Sequence, residues 1–153
     1  MREIAVITDT SCLIALSKVD ALSLLPKLYC RIVVTEEIRD EFGELLPSWI
    51  EIMSVTKDKY LQLLESMLDK GEASAIALAM TLADVLLIID DLKARKEAKR
   101  LGFKVTGTLG VLFTAKQEGL ISALKPLIDQ LLSFNFRISQ HVVNELLTLS
   151  GEI

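Results

Sequence analysis

Cysteine, histidine and aromatic side chains are all scarce in this chain. Cys12 and Cys30 are its two cysteines and have no C-x-x-C spacing, so neither a disulfide framework nor a cysteine zinc site is indicated. Both are expected to sit reduced in the core, which fits a reducing compartment. His141 is the single histidine, and no Ser–His or Cys–His pairing is recognisable, so a side-chain general base is hard to assemble. No segment approaches the ~18 consecutive apolar residues of a membrane helix. The opening MREIAVITDT has an apolar run of four, too short for a secretory signal, so the expectation is a cytoplasmic protein with no membrane contact. Neither G-x-x-x-x-G-K-[ST] nor G-x-G-x-x-G occurs. The net charge of −4, from 17 basic and 21 acidic residues, argues against a protein that coats duplexes non-specifically. It leaves a nucleic-acid enzyme open, because a cluster of metal-binding carboxylates would itself supply several negative charges.

What the chain has is aliphatic bulk in short runs. Its 153 residues are 51% hydrophobic and 5% aromatic, enough for one domain over residues 1–153 that buries roughly 70% of its unfolded surface. Apolar, β-branched stretches at Ile4–Thr8, Arg31–Val34, Ile50–Val55, Val85–Ile89 and Lys104–Thr106 read as strands. Helix-period stretches lie between them, including Ala21–Leu28, Asp58–Leu68 and Ala73–Ala83. Strands without polar alternation, separated by helices, predict a three-layer α/β/α fold with a central parallel sheet. From Leu109 the chain reads as helices, LGVLFTAKQEGL, ISALKPLIDQLLS and ISQHVVNELLTLS, with Gly102, Gly119 and Gly151 at expected helix ends. The last helix carries an apolar face, Val142, Val143, Leu146, Leu147 and Leu149, suited either to capping the core or to packing on a second subunit. His141 is expected on its surface.

The stretch VLLIIDDLKARKEAKR, residues 85–100, joins a buried-looking strand to two adjacent carboxylates, Asp90 and Asp91. IAVITDTS likewise puts Asp9 at the end of the first strand. In open parallel sheets ligands bind beyond the carboxyl ends of the strands, where strand order reverses. Were strands one and four neighbours there, their backbones would lie ~4.8 Å apart. Carboxylates ~4 Å apart repel by about 4 kcal/mol at an effective dielectric of ~20, so a proton or cation is needed between them. Hard oxygen donors suit Mg²⁺ or Mn²⁺.

Other acids can complete the set. In VTEEIRDEF, Thr35 can cap a helix with Glu36 and Glu37 in its first turn, where acids complement the helix dipole. Glu41 lies a turn beyond Glu37 on the same face, where the dipole no longer explains it; Glu41 is the preferred ligand, with Glu37 the fallback and Asp40 solvated. In DKGEASAIALAMTLAD, Gly71 precedes a helix begun by Glu72, either a dipole-complementing acid or a third carboxylate. Asp69 and Asp84 read as loop or helix-end residues. Thr10 and Ser11 either cap the helix near Cys12 or position a water or phosphate oxygen. The run Lys93, Arg95, Lys96, Lys99 and Arg100 is either a solvated face or a phosphate-tracking one, in which Lys96 and Arg100 would contact the backbone phosphates. VTGTLGVL sets Gly107 and Gly110 around Thr108, for a turn or for close approach to a phosphate.

These residues carry a resemblance. The pieces DTSCLIALSKVDALSLL, VTEEIRDEF, GEASAIALA, IIDDLKARKEAKRLGFKVTGTLGVLFTAKQEGLI and FRISQHVVNELLTLSGE follow the order of the PIN-domain nucleases, and the chain resembles an uncharacterised prokaryotic branch of that superfamily over nearly its whole length. The resemblance implies a ribonuclease with Asp9, Glu41, Glu72 and Asp90 or Asp91 around one or two Mg²⁺ or Mn²⁺ ions, leaving a 5′-phosphate on the product. Many PIN toxins carry Asp where Glu72 stands and Thr-x-Asp at the fourth strand, where Ile89 takes the threonine position if Asp91 is the matching acid. PIN proteins of this size often act as toxins of toxin–antitoxin pairs and often dimerise, so an antitoxin partner, a homodimer and a single-stranded RNA substrate are further expectations.

Two rival readings bear on the same acids. A haloacid-dehalogenase-like phosphatase needs D-x-D after the first strand, and here the sequence is Asp9-Thr10-Ser11; a receiver domain needs its acidic pair on the first strand. A non-catalytic PIN-like module binding protein or RNA would show little metal affinity.

Overall fold

The structure is a computed structural model that describes residues 4–153. Five strands form one all-parallel sheet: β1 (Ala5–Thr8), β2 (Arg31–Thr35), β3 (Ile50–Met53), β4 (Val85–Ile88) and β5 (Lys104–Thr106), in the order β3-β2-β1-β4-β5. Nine helices flank it among the described residues, giving the three-layer α/β/α arrangement expected. None of them is long and apolar enough to cross a membrane.

Strand burial follows position. All four residues of central β1 are buried, as are four of the five of β2. At the edge, β3 leaves Glu51 and Ile52 exposed. Glu51 there accepts from Arg31 Nη2 on the neighbouring strand at 2.6 Å, a charged edge that discourages further pairing. Because β1 leads outward to β2 and β3 on one side and β4 to β5 on the other, strand order reverses between β1 and β4. Those two strands pair directly, Thr8 opposite Ile88.

Each strand on the site side runs into a helix through a short polar residue. Asp9 caps α1 (Thr10–Lys18), Thr35 caps α3 (Glu36–Phe42) and Asp91 caps α6 (Leu92–Arg100), each through an oxygen that accepts a first-turn amide. Ahead of α6, the chain passes through α4 (Lys59–Glu65) and α5 (Lys70–Ala79). Gly71, Ser74 and the alanines 73, 75, 77 and 79 of α5 are all buried, and small side chains let this helix lie close across β1, β2 and β4. On the other side α2 (Leu24–Leu28) meets α7 (Thr108–Gln117).

The C-terminal end is helical as read: after α7 come α8 (Lys125–Ser133) and α9 (Gln140–Leu149). Val143 and Leu147 of α9 are buried, whereas Val142 and Leu149 face outward. Glu152 clasps this end: its carboxylate accepts from the amides of Leu124 (2.8 Å) and Lys125 (3.1 Å), from Ser150 Oγ (2.8 Å) and from Lys116 Nζ (3.2 Å). Gly102, Gly119 and Gly151 do end helices, with φ of 91°, 76° and 81°.

Several expectations need correction. Cys12 is buried, but Cys30 is exposed, because it sits in the connection between α2 and β2 rather than on either. The helix expected at Ala73–Ala83 is Lys70–Ala79: its cap is Asp69, Gly71 lies inside it, and a tighter turn stops it, with Thr81 N–H donating to Leu78 O at 3.0 Å. The third strand ends at Met53 and the fourth at Ile88, each two residues or one short of its apolar run.

Candidate functional site

The carboxyl ends of β1 and β4 bring Asp9 and Asp90 side by side. Asp9 is 2% exposed. Its Oδ1 accepts the Cys12 amide at 2.8 Å, capping α1, and its Oδ2 accepts the Asp90 amide at 3.0 Å. Asp9 therefore continues the ladder between the two strands with a side chain. Burial, and next the Asp90 carboxylate, push its pKa up to about 7; the two amide bonds pull against that rise, and Glu72 adds to it. The site gathers more negative charge than its hydrogen bonds offset.

Asp90 is held from α7 and α1. Its Oδ1 accepts the Thr108 amide at 2.8 Å, and its Oδ2 accepts Thr108 Oγ1 at 2.6 Å and Ser11 Oγ at 3.3 Å. Thr108 is fully buried. Gly107 allows this close approach: a Cβ there would stand 2.8 Å from Asp90 Oδ1 and 2.9 Å from Arg95 Nη1. The adjacent Asp91 is spent on its helix, its Oδ2 accepting the Ala94 amide at 3.0 Å. Of the pair, Asp90 is the one drawn to Asp9.

Glu41 enters from α3, with Oε1 accepting Thr10 Oγ1 at 2.7 Å. It occupies space that only glycine leaves on α5, since a Cβ on Gly71 would lie 2.0 Å from Glu41 Oε1. Glu37 points elsewhere: Oε1 accepts Lys57 Nζ at 3.1 Å, while buried Oε2 has no partner. Glu72 stands in the first turn of α5. Burial raises its pKa, a bond from its own backbone N–H opposes this, and Asp69, Asp91 and Glu41 raise it further. Cys12, beneath the site, is no nucleophile, because burial pushes its thiol up and Asp9 and Asp90 push the same way.

Thr10 and Ser11 do not cap α1; Asp9 does, and both hydroxyls are bound to carboxylates. Thr108 is likewise a holder of Asp90, with Gly107 as the helix cap residue. Lys96 and Arg100 line neither cavity at the site, and Arg100 Nε donates to Glu97 Oε2 at 3.1 Å. His141 is 89% exposed, its Nε2 3.8 Å from Glu145 Oε2.

Two cavities flank the acids. One, of about 410 Å³, lies among Asp9, Thr10, Glu41, Glu72 and the turn after α8. The other, of about 850 Å³, lies among Asp90, Arg95, Gly107, Arg137 and Val142. They share Ser11, Glu72, Asn135 and Phe136. Arg95, Phe134 and Phe136 escaped the sequence-based selection of site residues. Arg95 sat unresolved in a basic run, and its spacing of four from the cap residue Asp91 was the available signal. Nothing local in FNFR marked the phenylalanines, whose position depends on how α8 packs.

The donor set fits a hard divalent cation: Asp9, Glu41, Glu72 and Asp90 supply only carboxylate oxygens. In this arrangement Asp9 accepts two amides, Glu41 a hydroxyl, and Asp90 an amide and two hydroxyls, and among the described residues no three His, Cys, Asp or Glu side chains are gathered so as to hold one ion. A family model described as a PIN domain matches residues 5–152. No curated protein matches the chain.

Proposed function

The chain belongs to the PIN-domain family, and from that premise we propose that it is a metal-dependent ribonuclease. PIN domains are generally nucleases and generally use divalent metal ions. The observation that carries the reading is the paired Asp9 and Asp90 at the strand switch, where burial first, then the Asp90 carboxylate and last Glu72 raise the pKa of Asp9 to about 7. A fold keeps such uncompensated charge where a cation offsets it.

In this proposal Asp9, Glu41, Glu72 and Asp90 hold one or two Mg²⁺ or Mn²⁺ ions, and Asp91 serves as the cap of α6. A bound ion would lower the pKa of a water and offset charge on phosphoryl oxygens. The chain's own residues orient that chemistry. Thr108 and Ser11 fix Asp90, Thr10 fixes Glu41, and Arg95, without a hydrogen-bonding or ionic partner among the described residues, faces the second cavity as a phosphate contact. The attack is in-line, and the product carries a 5′-phosphate. The proposal extends to a single-stranded RNA substrate in the cytoplasm, to a role as the toxin of a toxin–antitoxin pair and to a homodimer.

A non-catalytic PIN-like module binding RNA or protein is the second reading, and what favours it is that no three acids are gathered for one ion. Incubation of single-stranded RNA with the protein and Mn²⁺ separates the two. Products with 5′-phosphate ends support the nuclease; 2′,3′-cyclic phosphate ends contradict the mechanism, and intact RNA at every metal concentration supports the binding module.

A further inference from the structure

Two of the chain's five phenylalanines, Phe134 and Phe136, stand in the turn after α8 and line the 410 Å³ cavity opposite Asp9, Glu41 and Glu72. Much of this turn has a structural cause. Asn135 takes a φ of 63° and the Phe136 amide donates back to Leu131 O at 3.0 Å, a Schellman-type helix ending with Asn in the place of glycine. Such an ending favours an apolar residue at the position of Phe136, and Phe136 does pack on the core. It asks for nothing apolar at Phe134. Phe134 is nevertheless an aromatic ring left 45% exposed at the rim of an acidic cleft. Lys18 Nζ stands 5.5 Å from its ring centroid and has no carboxylate partner among the described residues.

We propose that this cavity is a nucleobase subsite, in which an unstacked base of a single-stranded RNA stacks on Phe134 and the adjoining phosphate meets Lys18. The proposal rests on the ribonuclease reading and adds to it the means of holding the strand. Aromatic stacking suits any base, because every base has a π-face, and it is the usual partner of a cationic contact in single-strand binding. Ile14, Ala15 and Leu131 supply apolar walls, and the volume falls within the range of about 300 to 1,000 Å³ typical of small-ligand clefts. Position supports the same assignment. The two cavities meet at Ser11, Glu72, Asn135 and Phe136, so a base seated against Phe134 leaves the chain to run past the acids toward Arg95 and Arg137. The base is held on one side of the carboxylates and the backbone on the other.

The test uses a short single-stranded RNA with one 2-aminopurine, and a matched RNA with an abasic residue there, titrated into the protein in Mg²⁺ and read at once after mixing. Wild type is expected to quench the 2-aminopurine and to bind the intact RNA more tightly than the abasic one. Phe134→Ala is expected to weaken the intact RNA by roughly five- to a hundredfold and to leave the abasic RNA unchanged, and Phe134→Trp is expected to restore both affinity and quenching. Equal losses for intact and abasic RNA, or none for either, overturn the subsite while leaving the nuclease reading in place. Base-dependent binding without cleavage under any divalent ion does the reverse. A wild type that binds neither RNA overturns both.

Discussion

The amide of Asp90 donates to Oδ2 of Asp9 at 3.0 Å, so a carboxylate extends the tie between the ends of β4 and β1 beyond the last backbone bond, from Asp9 N–H to Ile88 O at 3.0 Å. The same Asp9 caps α1 through its other oxygen. One buried side chain thus fixes two strand ends and a helix start while presenting its charge to Asp90 and Glu72. Structural and chemical roles are combined in one residue, and substitutions around it separate them.

Gly71→Ala separates stability from site assembly. The three nearest atoms an added Cβ would meet belong to the Glu41 side chain, the closest at 2.0 Å, and that side chain can swing away. Alanine is the better helix former by about 1 kcal/mol. The variant is predicted to melt at or above the wild-type temperature, yet to lose at least about tenfold in divalent-ion affinity because Glu41 is displaced. Calorimetry and thermal denaturation on the same sample check both halves.

Thr108→Val tests the support of Asp90. It removes the 2.6 Å hydroxyl bond to Oδ2 and leaves the 2.8 Å amide bond to Oδ1. A hydrogen bond to a charged group contributes about 1.5–3 kcal/mol, and loss of a ligand's orienting partner typically costs 10–100-fold in metal affinity. Urea denaturation and Mn²⁺ titration are predicted to show losses of those sizes, and Thr108→Ser is predicted to recover most of the metal affinity.

How stability varies with pH follows from two opposed carboxylates. Asp9 has a folded pKa raised to about 7, so the native state binds its proton more readily than the unfolded chain. Its contribution is present at low pH and is lost as pH rises from about 4 to 7, amounting to no more than ~4 kcal/mol; the raised pKa of Glu72 acts in the same direction. At Glu152 burial raises the pKa, but the bonds from Leu124, Ser150, Lys125 and Lys116 outweigh it and bring the value to about 2. Its stabilisation is full above the ordinary carboxylate range and is lost as pH falls toward 2. The chelator-treated protein is therefore predicted to be most stable near pH 4–5, with the maximum moving upward on adding Mn²⁺. A stability that rises steadily from pH 4 to 7 in chelator contradicts the assignment at Asp9.

Arg95→Ala and Arg100→Ala are predicted to differ. Arg95 lines the cavity beside Asp90, whereas Arg100 is engaged with Glu97. The first change is predicted to weaken single-stranded RNA binding and flatten its salt dependence by about 0.7 in slope; the second is predicted to leave the slope unchanged. Fluorescence anisotropy across a salt series reads the difference.

These residues also mark where sequence reading stops. The parallel sheet and its five strands were legible, because unbroken apolar runs with helices between them fit few arrangements; the adjacency of the first and fourth strands entered only as a condition, and the β1–β4 pairing supplies it. Asp9 and the Asp90–Asp91 pair could be placed at strand ends for the same reason. The division of labour within the pair was not legible. It depends on Thr108, eighteen residues away, reaching back from α7. Choosing between Lys96, Arg100 and Arg95 needed the face that α6 turns to the site, and its start was fixed only by the Asp91 cap. Glu41 looked surplus to its helix, but the gap left for it at Gly71 comes from a different helix. Contacts between elements carry this information, and spacing along the chain does not.

The most direct test of a carboxylate metal centre is calorimetric titration of Mn²⁺ into wild-type protein, Asp9→Asn and Asp90→Asn, each with and without a single-stranded RNA. The account predicts binding by wild type and its loss in both variants. No binding by wild type, even with RNA present, would contradict it and leave these acids as hydrogen-bonding supports of the fold.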